Sequence, residues 1–197
     1  AQTLSSLKHP HIIDIVGFGA LDDGRQFMVM EFVTGKTLHE ELDHGPIDVA
    51  RAIRLADQIL DGLDAAHSVG VIHRDLKPGN VLLARVSGGS EVLKLLDFGL
   101  AKQQPESLVG SFIEVKEGAS VIAGTPEYIA PEQARGAPLT HACDLYALGC
   151  VLFEMLTSEL PFQGSTSELV LAHLRTPPPT PSSRGVNVPP ELDALIL

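Results

Sequence analysis

The chain has 197 residues, of which 44% are hydrophobic and 20% charged, which is typical of a globular protein with one domain or two small lobes. The formal net charge of -11 argues against a nucleic-acid-binding surface. The longest apolar stretch, LYALGCVLFEML, is shorter than the roughly 20 residues that a membrane helix needs, so this segment predicts no membrane contact. Cys143 and Cys150 lie in one apolar helical pattern, which favours buried thiols and a cytoplasmic, reducing compartment over a disulfide or metal site.

The chain opens with AQTLSSLKHP, which resembles the back half of a helix. Two short apolar runs then predict a hairpin with strands at Ile12–Val16 and Gln26–Val33, and GALDDGR forms the turn between them. Helical spacing predicts a long amphipathic helix over Asp48–Ser68, capped by Asp48 and ended by Gly70. Further along, the pattern predicts a second hairpin, VLLARV with EVLKLL, a stiff proline-rich connector, TPPPTP, and helices at Ala142–Thr157, Ser165–Arg175 and PPELDALIL.

A charged octet, HRDLKPGN, occupies residues 73–80 between the apolar stretches VGVI and VLLA. Each flanking stretch reads as a short buried strand, which makes the octet a loop at the edge of a core. Packing alone does not call for four charged or polar groups in such a place. Because loops held by rigid scaffolds often carry chemistry, the octet is the first candidate for a functional site.

Three downstream motifs accompany the octet in chain order: LLDFG at residues 95–99, GTPEYIAPE at 124–132 and DLYALG at 144–149. Together they resemble the catalytic domain of the eukaryotic-like (Hanks-type) serine/threonine protein kinases, with the phrasing of the bacterial members. The resemblance covers the whole chain and implies an α+β protein-kinase-like fold. It assigns residues 1–33 to part of a small lobe and the hinge, and residues 34–197 to a large lobe incomplete at its C-terminal end.

The resemblance implies a site that moves the γ-phosphoryl group of ATP to a protein hydroxyl in phosphorylation signalling. Asp75 would orient the hydroxyl and accept its proton, and Lys77 would place a cation on the moving phosphate. Asp97 and Asn80 would hold Mg²⁺, which Mn²⁺ can replace, through hard oxygen ligands. Lys77 also favours serine or threonine over tyrosine as the acceptor. The alternative for Asp75 and Lys77 is a solvated ion pair, which the apolar flanks and the later DFG motif disfavour.

Several implied residues support the loop without reacting. His73 would pack beside Phe98 of the DFG turn, which ends at Gly99, with Leu4, Ile15 and Asp144 as its other partners. Asp144 would fix the backbone of the octet as a buried carboxylate, or it could simply cap its helix.

Other implied residues concern regulation and the acceptor. Arg74, beside Asp75, would pair with a phosphate on the activation segment, residues 97–132, in which Ser107, Ser111 and Ser120 are alternative sites. Thr125 would face the catalytic residues and help bind the acceptor peptide. Glu132 would pair with an arginine expected beyond Leu197.

The stretch FMVMEFVTG resembles the last small-lobe strand running into the hinge. Met30 would then be the gatekeeper, and Glu31 to Val33 would offer backbone groups to adenine. Leu82 would form the floor beneath the base, and Thr37 would lie near the ribose. Core packing and a helix start explain these last two residues equally well.

The family also uses a glycine-rich loop, a strand lysine and a helix glutamate, none of which the sequence provides. Counting back from HPHI, the glutamate would fall just before Ala1, so the expectation is a domain truncated at both ends and inactive by itself. GFGALDDG at residues 17–24 reads as a turn. A pseudokinase or docking module remains the alternative function. It is disfavoured because Asp75, Lys77, Asn80 and Asp97 are all present, and turnover by the whole protein would exclude it.

Overall fold

The structure is a computed structural model that describes residues 7–85, 89–98, 113–116, 119–122 and 125–196. Within these residues it forms three small antiparallel sheets and a larger helical part, which confirms the predicted α+β class. Leu4, Gly99, Ser107 and Ser111 lie outside the described residues, as does most of the expected N-terminal helix.

The first sheet is a hairpin of β1 (Ile15–Ala20) and β2 (Gln26–Met30). A hairpin was predicted here, but its strand bounds were wrong: β1 begins later and runs on through GFGA. Gly19 explains the error, because a Cβ at this position would lie 2.3 Å from the Phe27 ring. Glycine therefore marks a close cross-strand approach within β1 and not the turn, which is confined to Leu21–Arg25.

The base of this hairpin is tied to the next sheet. Backbone hydrogen bonds join Ile13 N to Leu95 O at 3.0 Å and Leu95 N to His11 O at 2.9 Å. Glu31, just after β2, accepts from Asp14 N at 2.8 Å and pairs with Lys94 Nζ at 2.6 Å. The hairpin is thus fixed at its base by contacts outside its own strands.

The second sheet has the order β3 (Gly35–Thr37), β4 (Val81–Arg85) and β5 (Glu91–Leu95). The pairing of β4 with β5 confirms the second predicted hairpin. Because β4 follows the charged octet and β5 precedes the DFG motif, this sheet brings the two motifs to one edge.

Helix α1 (Leu38–Leu42) follows β3, and α2 (Val49–Ser68) confirms the long helix that the spacing predicts. Asp48 caps α2 by accepting from Arg51 N at 3.1 Å, and Gly70 follows its end with φ of 77°. The strand expected at VGVI is absent. Val71 N instead bonds back to Ala66 O at 3.0 Å, since the left-handed Gly70 folds the chain against the end of the helix.

The remaining helices are α3 (Pro131–Ala134), α4 (Ala142–Thr157), α5 (Thr166–Arg175) and α6 (Pro190–Ile196), with 3₁₀ turns at Pro126–Tyr128 and Pro181–Arg184. The predicted helices at α4, α5 and the C-terminal end are confirmed. Helices α2 and α4 pack together with β5 in the core, whose fully buried side chains include Leu55, Ile59, Leu63, Leu93, Leu95, Val151 and Met155.

A third backbone pairing joins β6 (Ile113–Lys116) to β7 (Ala119–Ile122) within the predicted activation segment. Sequence reasoning assigned no strand here. Ser120 belongs to β7.

Candidate active site

The charged octet is anchored on a buried carboxylate. Asp144 lies in the first turn of α4 and is 1% exposed. It accepts hydrogen bonds from the backbone N–H groups of His73 and Arg74, each at 2.8 Å. His67 Nε2 lies 2.7 Å from the same carboxylate, and since a carboxylate only accepts, this nitrogen carries the proton. The loop backbone is therefore fixed by two core helices, and Asp144 does more than cap α4.

The side chains of the octet converge on Asp75. Lys77 Nζ lies 3.0 Å and Asn80 Nδ2 3.2 Å from Asp75 Oδ2, and Asn80 Nδ2 also donates to Asp75 O at 2.8 Å. Oδ1 of Asp75 accepts no hydrogen bond from the described residues, and the side chain is 28% exposed. One oxygen is thus held by two donors, which leaves the other for a further partner.

A second segment of the chain reaches this cluster through Thr125. Lys77 Nζ donates to Thr125 Oγ1 at 2.8 Å. Directly after Thr125, the 3₁₀ turn is held to α4 by Tyr128, whose Oη donates to Glu154 at 2.6 Å. The GTPEY segment therefore lies against the octet, as the family resemblance implies for Thr125.

His73 is a packing residue in this site. It is fully buried, and its ring centroid lies 4.6 Å from that of Phe98. Burial lowers the pKa of His73, an effect that the carboxylates of Asp144 and Asp75 oppose. The expected neighbours Phe98 and Asp144 are present, and Ile15 belongs to the same buried core. A neutral, enclosed imidazole with no access to solvent is suited to support the loop and not to exchange protons.

Asp97 follows directly after a backbone contact with Asn80 at the end of the sheet. Leu96 N donates to Asn80 O at 2.9 Å, which continues the β4–β5 pairing toward the DFG motif. Asp97 follows with a left-handed φ of 51°, and its side chain is exposed. Among the described residues, no group of three or more His, Cys, Asp or Glu side chains could hold a metal ion. A metal bound here would rely on the Asp97 carboxylate, the Asn80 amide oxygen and groups from outside the protein.

Arg74 has a strained backbone and a partly buried side chain. Its φ of 66° is unusual for a residue with a Cβ, and its carbonyl accepts from Gln133 Nε2 at 3.0 Å. Nε of Arg74 is buried and makes no hydrogen bond with the described residues. Glu132, on α3, forms no ion pair within the described part of the chain.

The residues of the predicted hinge lie at the join between the first two sheets. Met30 ends β2, Glu31 holds Lys94, and Val33 is half-buried before β3. Thr37 pairs with Leu82 across β3 and β4, so both lie in one cross-strand position. Thr37 Oγ1 also accepts from Glu40 N at 3.2 Å in a capping box, which supports its alternative role as a helix start.

Two supporting residues were missed from the sequence. His67 lies in the last turn of α2, before the octet in chain order. Gln133 links two backbone groups: its Nε2 donates to Arg74 O, and its Oε1 accepts from Ala130 N at 3.0 Å. Only the expectation that a buried Asp144 needs several donors could have suggested His67. No local signal indicated Gln133.

In the described part of the chain, no helix is both long enough and apolar enough to cross a membrane. The sequence model of the protein kinase domain matches residues 1–183.

Curated relatives are similar along the whole chain. The serine/threonine-protein kinase pkn3 of Myxococcus xanthus is 39% identical over 201 residues, covering 100% of this chain and 36% of the relative. The serine/threonine-protein kinase PknB of Mycolicibacterium smegmatis is 38% identical over 202 residues, covering 100% of this chain and 31% of the relative. The serine/threonine-protein kinase PrkC of Bacillus subtilis is 35% identical over 199 residues, covering 100% of this chain and 29% of the relative. The chain thus spans about a third of the length of these relatives. With the octet and the DFG motif at one end of the sheet, and Thr125 and Asp144 of the other two motifs bonded to the octet, the chain belongs to the protein kinase domain family and is similar to its bacterial serine/threonine members.

Proposed function

We propose that the protein containing this chain transfers the γ-phosphoryl group of ATP to serine or threonine hydroxyls of proteins. The observation that carries the proposal is the convergence of Lys77 and Asn80 on Asp75, with Thr125 held against Lys77. The names of the relatives are consistent with this activity. Since the chain spans only about a third of their length, the activity of the whole protein is an inference.

Asp75 acts on the acceptor hydroxyl. Its Oδ2 is occupied by Lys77 and Asn80, so the carboxylate is held in one orientation and Oδ1 is left to accept the hydroxyl proton. Lys77 is a cation beside both Asp75 and Thr125, and it neutralises charge on the phosphoryl group as the group moves between donor and acceptor. Thr125 lies where it can contact the acceptor peptide.

The donor set at the sheet end suits Mg²⁺, with Mn²⁺ as a substitute. The Asp97 carboxylate is exposed, and Asn80 directs its amide nitrogen at Asp75 O, which leaves its amide oxygen without a hydrogen bond from the described residues. Both are hard oxygen donors of the kind Mg²⁺ prefers. When bound, the metal ion neutralises the phosphate oxygens of ATP.

ATP would place its adenine at the hinge. Met30 is proposed as the gatekeeper, Glu31 to Val33 as the backbone partners, Leu82 as the floor and Thr37 as a ribose neighbour. The Thr37–Leu82 pairing supports the last two, since it sets them side by side at the start of the large lobe. The proposed boundary between the lobes follows residue 33, between the two-stranded and three-stranded sheets.

Arg74 is proposed to bind a phosphate on the activation segment. Its buried Nε lacks a partner among the described residues, and Arg74 directly precedes Asp75 in the chain. A phosphoserine would neutralise this cation and supply strong acceptors. Glu132 is proposed to pair with an arginine outside these residues.

The test measures transfer of labelled phosphate from Mg-ATP to dephosphorylated casein by the full-length gene product. Asp75→Asn should lower kcat by about 10²- to 10⁴-fold, the usual contribution of a general base. Asp57→Asn is the matched control, because Asp57 is an exposed carboxylate on α2. We expect little turnover from the 197-residue chain alone, since it offers no glycine-rich loop or strand lysine to clamp the other phosphates.

Absence of label from the full-length wild type, with no effect of Asp75→Asn, would reject the proposal. Binding of ATP without transfer would then favour the pseudokinase or docking function.

A further inference from the structure

A buried histidine packs behind the turn proposed to bind the acceptor. His173, on α5, is 4% exposed, and its ring packs edge-on against Phe162 and Tyr146 with centroid distances of 4.9 and 5.6 Å. Its Nδ1 lies 2.7 Å from Tyr146 Oη. Helix α5 contacts the 3₁₀ turn Pro126–Tyr128, so the ring stands between this turn and α4.

The protonation state of the His173 ring follows from its surroundings. Burial lowers the pKa of His173, while the carbonyl groups of Glu127 and Pro126 oppose the shift. A neutral imidazole has one N–H donor and one acceptor nitrogen. Burial also raises the pKa of Tyr146, so its hydroxyl keeps a proton that it can donate to Nδ1. Nε2 then carries the imidazole proton, and the turn with these two carbonyls contacts the helix that bears His173.

The proton on Nε2 has no settled partner. Nε2 is buried and completes no hydrogen bond with any described residue. An unpaired buried donor is destabilising, so a small movement of the turn that closes this hydrogen bond is favourable. Hydrogen bonds at catalytic sites are often long in the free protein and tighten when substrate binds.

We propose that His173, oriented by Tyr146, is a positioning residue that closes an Nε2–H hydrogen bond to the Pro126 or Glu127 carbonyl when the acceptor protein binds. The bond would hold the turn that follows Thr125, and Thr125 contacts Lys77. His173 touches neither ATP nor the reacting atoms. This inference rests on the proposed function and deepens it at the acceptor-binding turn.

The experiment compares steady-state kinetics of the full-length wild type, His173→Phe, His173→Gln and Tyr146→Phe, with dephosphorylated casein and Mg-ATP varied in turn. His173→Phe keeps an aromatic ring without the donor and should raise the casein KM about 3- to 10-fold, the value of one neutral hydrogen bond. The KM for ATP and kcat should stay within about twofold, because Asp75 and the hinge are untouched. His173→Gln restores a side-chain donor and should recover most of the loss, and Tyr146→Phe should raise the casein KM in the same direction.

His44→Gln is the matched control, since the His44 side chain is exposed and, among the described residues, is hydrogen-bonded to the Glu40 carbonyl alone, at 2.9 Å. An unchanged casein KM in an active His173→Phe enzyme would overturn this inference alone. A lower kcat together with equal rises in the KM values for casein and ATP, a lower Tm and no rescue by His173→Gln would show a purely structural role for His173. That result would overturn the inference as well. A wild type that labels nothing would reject the proposed function and this inference with it.

Discussion

Asp144→Asn should loosen the loop of residues 73–80 while leaving the volume of the substituted side chain nearly unchanged. The wild-type carboxylate receives three N–H donors on two oxygens: His73 and His67 on Oδ2, and Arg74 on Oδ1. An asparagine amide has one oxygen and one NH₂ group. The least costly orientation keeps the oxygen on the Oδ2 side and turns the NH₂ group toward the Arg74 N–H, which loses its acceptor.

The magnitude can be built from these contacts. Losing one hydrogen bond to a buried charged acceptor costs about 1.5–3 kcal/mol. Changing the other two from charged to neutral acceptors costs about 0.5–1 kcal/mol each, since charge-assisted bonds are roughly twice as strong as neutral ones. The sum, about 2.5–5 kcal/mol, is a large share of the roughly 5–15 kcal/mol that stabilises a typical domain.

The same change should reach the reacting groups through Arg74. A non-glycine residue at φ of 66° stores about 1–2 kcal/mol of strain, which the Asp144 hydrogen bond helps to hold. Once released, Arg74 relaxes and displaces the adjacent Asp75. A misplacement of about 1 Å can cost about 10²-fold in rate.

The assay pairs urea unfolding with casein phosphorylation for Asp144→Asn, using Asp57→Asn as the control. The expected result is a fall of about 2.5–5 kcal/mol in the unfolding free energy, with kcat lowered by about 10²-fold where the protein remains folded. The control should stay within about 0.5 kcal/mol. A fall below about 1 kcal/mol with unchanged kcat would refute the reasoning, because the three hydrogen bonds would then contribute almost nothing.

Three further outcomes follow from other residues. Burial lowers the folded-state pKa of His173, so the unfolded chain binds a proton more readily than the folded chain. The contribution of His173 to the unfolding free energy is therefore full above about pH 6.5 and falls by up to about 1.4 kcal/mol per pH unit below it. The same dependence of the unfolding free energy on pH in His173→Phe would contradict this. Gly35→Ala should lower the unfolding free energy by about 1–3 kcal/mol, because the added Cβ would meet Leu83 O at 2.4 Å. Gly17→Ala is the control and should change the unfolding free energy far less, because its Cβ would meet nothing within 4 Å. Equal effects of the two substitutions would exclude the steric cause. Thr37→Ala should cost about 1 kcal/mol through loss of the capping box, and a large rise in the KM for ATP with unchanged stability would favour the ribose role instead.

Local patterns predicted the helices of this chain well. The apolar spacing of α2 and α4 reflects a single buried face or a fully buried helix, and Asp48 and Gly70 act within a few residues of the ends that they mark. These signals are short-range, so sequence alone carries them. A glycine in a strand is a more ambiguous signal, because it can mark either a turn or a close approach of the neighbouring strand. Gly19 was misread as part of a turn because the Phe27 ring that explains it comes from the partner strand.

The candidate site could be predicted as a set of residues but not as a geometry. The octet supplied Asp75, Lys77 and Asn80 together because they are close in sequence. The contact between Lys77 and Thr125 spans a separation of 48 residues, and nothing in either motif states which atoms meet. His67 was missed for a similar reason: its role depends on Asp144, which lies 77 residues further along the chain.

The fixed base of the first hairpin makes its tip a site for protein engineering. Ile13 and Glu31 tie the base to β5. Within the described residues, the backbone hydrogen bonds of the tip, Leu21–Arg25, stay inside the tip, such as Leu21 N to Arg25 O at 2.8 Å. Exposed loop tips of this kind tolerate inserted sequence. An affinity tag or a fluorescent reporter placed between Asp22 and Asp23 should therefore leave the register of β1 and β2, and the proposed hinge that follows them, undisturbed.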